Sequence, residues 1–499
     1  MPITLPLKTN APPPLWEDLK SKPYVTVSSK GLANGLSDKI NDGADFGPDT
    51  SNTLTSGIQE AINYIFTLGG GKIQLLSGIF NLNVAYVQQQ LAIPNAHVIE
   101  IPENPDTNEI ITIEIAGIAS SLWDYQISYS PAATTPMNGI AGSIIFFNGY
   151  LTSGEAAGAA VFGSAPPTSA NHYNNNVNII LKDLTFRSLP PTTTTQYQPT
   201  MVQLDNFAGY ILTNVVVDVY TIDGSIPNIY ILNTNNQYSI GISVNPPNFG
   251  NGLAIFDNVY IIGYQYGLVL SFGSNYVQHV HIKQIFIQYC YYGINIGNVG
   301  NYPPVIDFAD IEQCAYPILF NNSSPIWLPK AHFQLQSQGA WSSTNWNNAV
   351  QYFTSTGSAN VYGEIEMYIT GGSPTDNPLL GGNTQYLSTL IFHQILGQGA
   401  IAKYPYTSMG SATAGTTAGS IQQIVQSYSP IQKIVFYFNG YENNTTTNQT
   451  ISFLNAFSSF ATITTNTTGL SLSTSLTGLT ITAPNSTTTY SGIVIVEGY

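Results

Sequence analysis

The sequence predicts an all-β protein in which stacked coils are followed by a C-terminal antiparallel β-sandwich. Three observations lead to this prediction. An amphipathic helix near the N-terminal end stops at a run of glycines, and apolar and tyrosine columns recur about every 25 residues in the middle of the chain. Short strands separated by Thr, Asn and Gly turns then fill the C-terminal part.

The helix is predicted over residues 55–67. Four apolar residues recur there at helical intervals: Ile58, Ala61, Ile62 and Ile65. Thr55 and Ser56 precede them as cap residues, and the glycines at 69–71 end the helix. The next stretch, "KIQLLSGIFNLN", predicts a strand, a tight turn at Ser77 and Gly78, and a second strand.

The coil repeat is visible in three segments. "DNVYIIGYQYGLVL" starts at Asp257, "KQIFIQYCYYGINI" at Lys283 and "DFADIEQCAYPILF" at Asp307, so each start follows the previous one by about 25 residues. Their alignment gives three columns: Ile261, Ile287 and Ile311; Tyr266, Tyr292 and Tyr316; Leu268, Ile294 and Ile318. Such columns bury an apolar face only if each coil stacks on the next, at about 4.8 Å.

The N-terminal elements "GAD", "IQEAIN" and "GGGKIQLLSGIF", within residues 41–83, resemble the cap of the pectate-lyase-like right-handed parallel β-helix superfamily. Viral tailspikes and polysaccharide-processing enzymes belong to that superfamily. The resemblance implies a right-handed parallel β-helix with an N-terminal capping helix. We therefore divide the chain into an N-terminal arm (1–35), a β-helix (36–335), a β-helix end and linker region (336–420) and a sandwich (421–499).

The composition excludes several functions. Only 8% of the residues are charged and the net charge is -15, so no basic surface is available to neutralise nucleic-acid phosphates. The sequence shows no secretory signal and no apolar run long enough to span a membrane. We expect neither nucleic-acid binding nor membrane insertion.

The tyrosines suggest a glycan-binding surface. The chain has 32 tyrosines, and "GYQYG" and "QYCYYG" place several of them at one corner of the coils. Sugar rings stack on aromatic faces while their hydroxyls bind amides and hydroxyls. The candidate glycan-binding aromatics are Tyr264, Tyr266, Tyr291 and Tyr292. The alternative is that these tyrosines only pack coil on coil.

One column of charges could serve catalysis. The alignment stacks Asp257, Lys283 and Asp307, so that the lysine is expected between two carboxylates. The alternative, a charge ladder that stabilises stacked coils, is preferred. Asp218 with Asp223 forms a second carboxylate pair, for which surface solvation is the preferred role.

Polygalacturonase-like motifs give no further support for catalysis. The stretch at 221–224 and the His281-Ile282-Lys283 run resemble such motifs only loosely, and no adjacent Asp pair or G-H-G is present. No catalytic residues are therefore carried over from that family.

No cofactor or metal is expected. His279 and His281 share one strand face but lack a third ligand, and the loop from Asp42 to Asp49 lacks the spacing of a Ca²⁺-binding EF-hand. Cys290 and Cys314 fall in one column of the coil alignment. They are expected to be buried free thiols, because stacked parallel coils rarely orient two sulfurs for a disulfide.

Aligned asparagines and sequons add two expectations. Asn214 and Asn258 align between coils and are expected to cap turns. Asn-x-Ser/Thr sequons, which a Thr/Asn-rich chain also produces by chance, occur at Asn321, Asn322, Asn443, Asn444, Asn448, Asn466 and Asn485.

These features together predict an attachment protein of a virion surface or another extracellular surface, of the tail-fibre or tailspike type. It would bind a host cell-surface polysaccharide or glycoprotein, contact other virion proteins through its N-terminal arm, and form a homotrimer. One alternative is a polysaccharide lyase or glycoside hydrolase that acts in the β-helix groove. A second is a structural surface protein without enzymatic activity.

Overall fold

The computed structural model describes residues 23–29, 44–106, 109–118, 142–164, 167–168, 174–189, 191, 193, 196–219, 239–244, 253–272, 279–299, 304–336, 352–370, 380–383, 387, 390–396, 420–428, 431–442, 449–452, 462–465, 471–475, 478–482 and 489–498. Outside these ranges lie most of the N-terminal arm and of the linker, Asp42, the 221–224 stretch with Asp223, and five sequons: Asn443, Asn444, Asn448, Asn466 and Asn485.

The predicted helix is confirmed as α1 (Ile58–Thr67), with its four predicted apolar residues buried. The hydroxyl of Thr55 accepts a hydrogen bond from Gln59 N at 3.1 Å and so caps the first turn, whereas the Ser56 hydroxyl donates to Asn81 O instead. The glycines at 69–71 all have positive φ, which ends the helix. A second helix, α2 (Val84–Leu91), is capped by Asn83.

Parallel strands make up most of the described chain. In chain order they are β1 Tyr24–Val27, β2 Gly71–Leu75, β3 Gly78–Asn81, β4 His97–Glu100, β5 Ile111–Ala116, β6 Ser143–Phe147, β7 Ala160–Gly163, β8 Val177–Ser188, β9 Val202–Gln203, β10 Gly209–Val219, β11 Ile240–Val244, β12 Ala254–Ile262, β13 Tyr266–Leu270, β14 Val280–Ile282, β15 Ile285–Gln288, β16 Tyr292–Ile296, β17 Val305–Glu312, β18 Tyr316–Phe320, β19 Ile326–Gln336, β20 Phe353–Ser355, β21 Val361–Thr370, β22 Leu380–Gly382 and β23 Leu390–Leu396.

These strands form two long sheets. The first sheet has the order β1-β2-β5-β8-β10-β12-β14-β17-β19-β21-β23, with β15 beside β12 and β17, and with β6 between β3 and β8. The second sheet has the order β22-β20-β18-β16-β13-β11-β9-β7-β4. From β10 to β23 the chain alternates between the two sheets, with β14 and β15 together forming one step in the first sheet, and neighbouring strands within each sheet are parallel. This mostly-β architecture is compatible with an all-β parallel β-helix.

The strand register confirms the columns predicted from the repeat. Ile261 pairs with Ile287, which pairs with Ile311, and all three side chains are buried in the core. In the second sheet, Tyr266, Tyr292 and Tyr316 are paired in the same way, as are Leu268, Ile294 and Ile318. Each sequence repeat therefore adds one strand to each of the two sheets.

A bend divides the strands of the first sheet. Asn214 and Asn258 both have positive φ, and Asn258 Nδ2 donates to Asn214 Oδ1 at 2.7 Å. Asn214 Nδ2 donates in turn to Asp183 Oδ1 at 2.8 Å, and Asp183 also has positive φ. The two aligned asparagines are therefore members of a side-chain ladder. This ladder stabilises one left-handed residue at the bend in each of three neighbouring strands.

The two cysteines are buried and free, as predicted. Each thiol lies near a backbone carbonyl, that of Gln288 for Cys290 and that of Glu312 for Cys314. Burial is the main cause that raises the pKa of the Cys314 thiol, and the neighbouring Cys290 raises it further. This cysteine therefore stays protonated and unreactive.

The C-terminal part contains two antiparallel sheets. Its strands are β24 Ser420–Tyr428, β25 Ile431–Glu442, β26 Gln449–Ser452, β27 Thr462–Thr465, β28 Ser471–Thr474, β29 Gly478–Thr482 and β30 Thr489–Gly498. One sheet has the order β24-β25-β30-β27 and the other β26-β29-β28. Antiparallel pairing of short strands in this region agrees with the sequence prediction.

Candidate functional site

The most unusual titratable group on the first sheet is Asp310. Its column, beyond the bend, contains Tyr260 on β12, Phe286 on β15, Asp310 on β17 and Gln334 on β19. The rings of Tyr260 and Phe286 are stacked with centroids 4.3 Å apart. These side chains stand opposite to those of Ile261 and Ile287, which fill the core, so the column faces away from it.

Asp310 is only 7% exposed. Its Oδ2 accepts a hydrogen bond from Gln334 Nε2 at 3.2 Å, whereas its Oδ1 is buried without a hydrogen-bond partner. Burial, reinforced by the charge of Glu312, raises the pKa of Asp310 to about 7. This carboxyl therefore exchanges its proton near neutral pH, as a general acid or base must.

Glu312 lies two residues further along the same strand and on the same face. Its Oε2 accepts a hydrogen bond from Gln288 Nε2 at 2.7 Å. Burial raises the pKa of Glu312, while the hydrogen bond from Gln288 opposes that rise. Residues two apart on a strand have Cα atoms about 6.6 Å apart. Glycoside hydrolases use a pair of neighbouring carboxyl groups of this kind, one of them as an acid.

The sequence analysis did not single out Asp310 and Glu312. The signal was present in "DFADIEQC", where Asp310 and Glu312 are two residues apart in a strand, a spacing that places both carboxyls on one face. The coil alignment drew attention instead to Asp307, because Asp307 begins the repeat.

The tyrosine column forms a continuous outer surface on the second sheet. Tyr266 and Tyr292 are stacked at 4.7 Å, and Tyr292 and Tyr316 at 5.3 Å, while Tyr291 contacts Tyr292 and Tyr316 edge-on. All four are partly exposed. Burial, with the neighbouring Tyr266 and Tyr316, raises the pKa of Tyr292 to about 12, so its hydroxyl remains a hydrogen-bond donor at neutral pH.

Tyr264 does not belong to this surface, contrary to the sequence prediction. It is fully buried, its hydroxyl donates to Asp218 O at 3.1 Å, and it lies 3.2 Å from the Ser188 hydroxyl. The residue lies in the turn between β12 and β13, where the chain directs the ring inward. Tyr264 therefore packs the corner and cannot contact a glycan.

The predicted column of Asp257, Lys283 and Asp307 is only partly assembled. Lys283 Nζ contacts Asp257 Oδ2 at 3.0 Å, but Asp307 Oδ2 contacts His281 Nε2 at 2.6 Å. The lysine therefore does not bridge two carboxylates. Both ion pairs are well exposed, which fits the preferred interpretation as a charge ladder.

Asp218 is not a solvated surface carboxylate, so the preferred interpretation was wrong. It is fully buried and holds Arg187, the only arginine of the chain, in a bidentate pair. Arg187 Nε lies 2.7 Å from Asp218 Oδ1, and Nη2 lies 2.9 Å from Oδ2. The paired guanidinium compensates the buried charge, which gives this carboxylate a structural role.

The described residues contain no group of three or more His, Cys, Asp or Glu side chains arranged to hold a metal. His281 is paired with Asp307, and His279 lies just before β14 with positive φ. In the loop that was considered for calcium, Asp45 Oδ2 accepts hydrogen bonds from the backbone and hydroxyl of Thr26. These contacts give His281 and Asp45 structural partners.

Two sequons lie within the described part of the chain. Asn322 is buried, and its Nδ2 donates to Ser324 O at 2.8 Å and to Ala359 O at 2.9 Å. A glycan on that nitrogen would disrupt both hydrogen bonds, so Asn322 is unsuited to glycosylation. Asn321 is partly exposed, which leaves it as the accessible acceptor of the two.

Comparison with family models, with curated proteins and with solved structures finds no match for this chain. Neither helix of the described region is long and apolar enough to cross a membrane. The functional assignment therefore rests on the geometry of the two outer surfaces.

Proposed function

We propose that this chain is an attachment protein of a virion surface or another extracellular surface, and that it binds host cell-surface glycans. In this proposal the two parallel sheets belong to a right-handed β-helix shaft of the tailspike or tail-fibre type, and the C-terminal sheets pack as a sandwich. The stacked, partly exposed column of Tyr266, Tyr292 and Tyr316 carries the proposal.

The tyrosine column suits a sugar chain for two reasons. Stacked rings provide apolar surface along the column, and the phenol hydroxyls supply hydrogen-bond donors for sugar hydroxyls. The scarcity of charged side chains limits competing electrostatic contacts and favours neutral sugars.

Binding to a panel of immobilised polysaccharides tests this proposal. We expect Tyr292→Ala to weaken binding about 2- to 12-fold, because an aromatic contact contributes about 0.5 to 1.5 kcal/mol. Tyr292→Phe should retain most of the affinity. Tyr362→Ala is the matched control, because Tyr362 is an exposed tyrosine on the first sheet. Equal binding by all three variants would refute a role for the column.

A second candidate function, glycoside hydrolysis, is favoured by Asp310 and Glu312. In an inverting mechanism, the carboxyl with the higher pKa protonates the leaving oxygen while the other activates water. Asp310 suits the acid role and Glu312 the base role. These residues replace Asp257, Lys283 and Asp307 as the catalytic candidates, because the latter form exposed ion pairs.

Release of reducing sugar from the bound polysaccharide tests this second candidate. Asp310→Asn and Glu312→Gln should each reduce turnover at least 100-fold, the usual contribution of a positioned acid or base. Asp257→Asn is the matched control and should leave turnover unchanged. Turnover that survives both carboxyl substitutions would exclude this pair, and binding without turnover would leave attachment as the function.

A further inference from the structure

One outward column of the first sheet runs across eight consecutive strands. Its members are Tyr24, Lys72, Glu114, Ile180, Ile211, Ile255, His281 and Val305. All eight are at least partly exposed, and the three in the middle are isoleucines. The neighbouring Leu253 is 56% exposed. Consecutive exposed isoleucines on a shaft are typical of a contact surface.

The charges around these isoleucines are arranged symmetrically about Ile211. One coil away on either side lie Ile180 and Ile255, and two coils away lie Glu114 and His281. In the adjacent outward column, Thr213 occupies the centre, with Lys182 one coil to one side and Asp257 one coil to the other. Two charges on one side thus have an opposite or protonatable group at the same distance on the other: Lys182 has Asp257, and Glu114 has His281. Lys72, three coils from Ile211, has the apolar Val305 at the same distance.

We propose that this face binds the same face of a second copy, as an antiparallel dimer whose two-fold axis runs along β10. This axis reverses the order of the coils but keeps each column opposite itself. Ile211 then meets the partner's Ile211, and Ile180 meets the partner's Ile255. Lys182 meets the partner's Asp257, and Glu114 meets the partner's His281.

The opposite orientation gives a poorer match. If the two shafts ran parallel about a two-fold axis along their length, each coil would face itself. Glu114 would then meet the partner's Glu114, and Lys72 the partner's Lys72. Like charges in direct contact oppose association, so the charges select the antiparallel arrangement.

Lys182 makes the prediction specific. It is exposed and, within the described structure, forms no ion pair, whereas Lys72 is paired with Glu114 at 3.3 Å and Lys283 with Asp257 at 3.0 Å. A chain with a net charge of -15 repels its copies in general, so association depends on locally placed cations such as this one.

The mass of the full chain in solution, measured by light scattering over a range of concentrations, tests the dimer. We expect a mass of twice 53.8 kDa, and we expect Ile211→Lys to raise the dissociation constant at least about ten-fold. Ile93→Lys is the matched control, because Ile93 is an exposed isoleucine outside the sheet and its substitution should leave the dimer intact.

A charge exchange distinguishes the antiparallel pairing from any other contact through this face. Lys182→Asp alone and Asp257→Lys alone should each dissociate the dimer, because both contacts of the pair then join like charges. A mixture of the two variants should recover a heterodimer, in which both contacts are again opposite in sign. Far-UV circular dichroism spectra like that of the unmodified chain would show that each separate variant still folds.

Three results would overturn the proposal: a monomer at all concentrations, a dimer insensitive to Ile211→Lys, or a trimer. The trimer is the arrangement expected from the sequence resemblance. Failure of the charge-exchange mixture to associate, when the unmodified chain does dimerise, would refute the antiparallel orientation. Glycan binding by the tyrosine column is measured separately and does not depend on any of these outcomes.

Discussion

Buried acids with raised pKa values should make this protein more stable in acid than at neutral pH. Asp310 carries the clearest case, because its pKa rises from 3.8 to about 7 on folding. Between these values the native state keeps a proton that the unfolded chain releases, so stability falls as pH rises. A shift of about 3 units corresponds to about 4 kcal/mol, lost progressively between about pH 4 and pH 8.

Glu312 and Glu155 act in the same direction. Burial raises the pKa of both carboxyls, and hydrogen bonds, from Gln288 to Glu312 and from Thr200 to Glu155, only partly oppose this effect. When the pH is raised, the total loss of unfolding free energy should therefore exceed the loss that Asp310 causes alone. Each additional acid releases its native-state proton above its ordinary pKa, so none of them reverses the sign.

Urea unfolding followed by fluorescence, at pH values from 4 to 8, measures this effect. Asp310→Asn keeps the shape of the side chain without its charge. As pH rises, the free energy of unfolding of the variant should therefore increase relative to that of the unmodified chain, by up to about 4 kcal/mol. Asp49→Asn is the control, because Asp49 is exposed. Parallel stability curves for Asp310→Asn and the unmodified chain would refute the reasoning.

Two further predictions concern the buried polar contacts. Asp218→Ala should lower the free energy of unfolding by about 3 to 5 kcal/mol, because it removes the carboxylate that pairs with the buried Arg187 guanidinium, whereas the Arg187→Met/Asp218→Leu double variant should lose less. Urea unfolding of both variants provides the comparison, and equal losses would contradict it. Asn258→Ala should cost about 2 kcal/mol, from one lost hydrogen bond and a left-handed backbone, and Asn258→Gly about half of that. Equal thermal destabilisation of these two variants would show that backbone conformation contributes nothing.

Periodic features of the fold were predictable from the sequence. The spacing of Ile58 to Ile65 predicted α1, and the repeat of the coil segments predicted the register of three columns. Both predictions succeed for the same reason. A core residue must return to the core at each turn or coil, and that requirement is recorded in the spacing of apolar residues.

The polar contacts were less predictable. Alignment places Lys283 between Asp257 and Asp307, but it does not determine which cation each carboxylate takes, and Asp307 takes His281. The burial of individual polar side chains was also hidden. Asp218 and Tyr264 are covered although both appear polar enough for the surface. Whether such a residue is covered depends on distant segments, which leave no local period in the sequence.

The bend at Asn214 and Asn258 explains how the first sheet can carry two separate surfaces. A residue with positive φ interrupts the alternation of a strand, so Ile211 and Thr213 face outward before the bend while Val215 and Val217 face the core after it. The proposed dimer face lies before the bend, and Asp310 and Glu312 lie after it. Ile211→Lys should therefore dissociate the dimer without altering the pH dependence that Asp310 confers, and Asp310→Asn should do the reverse.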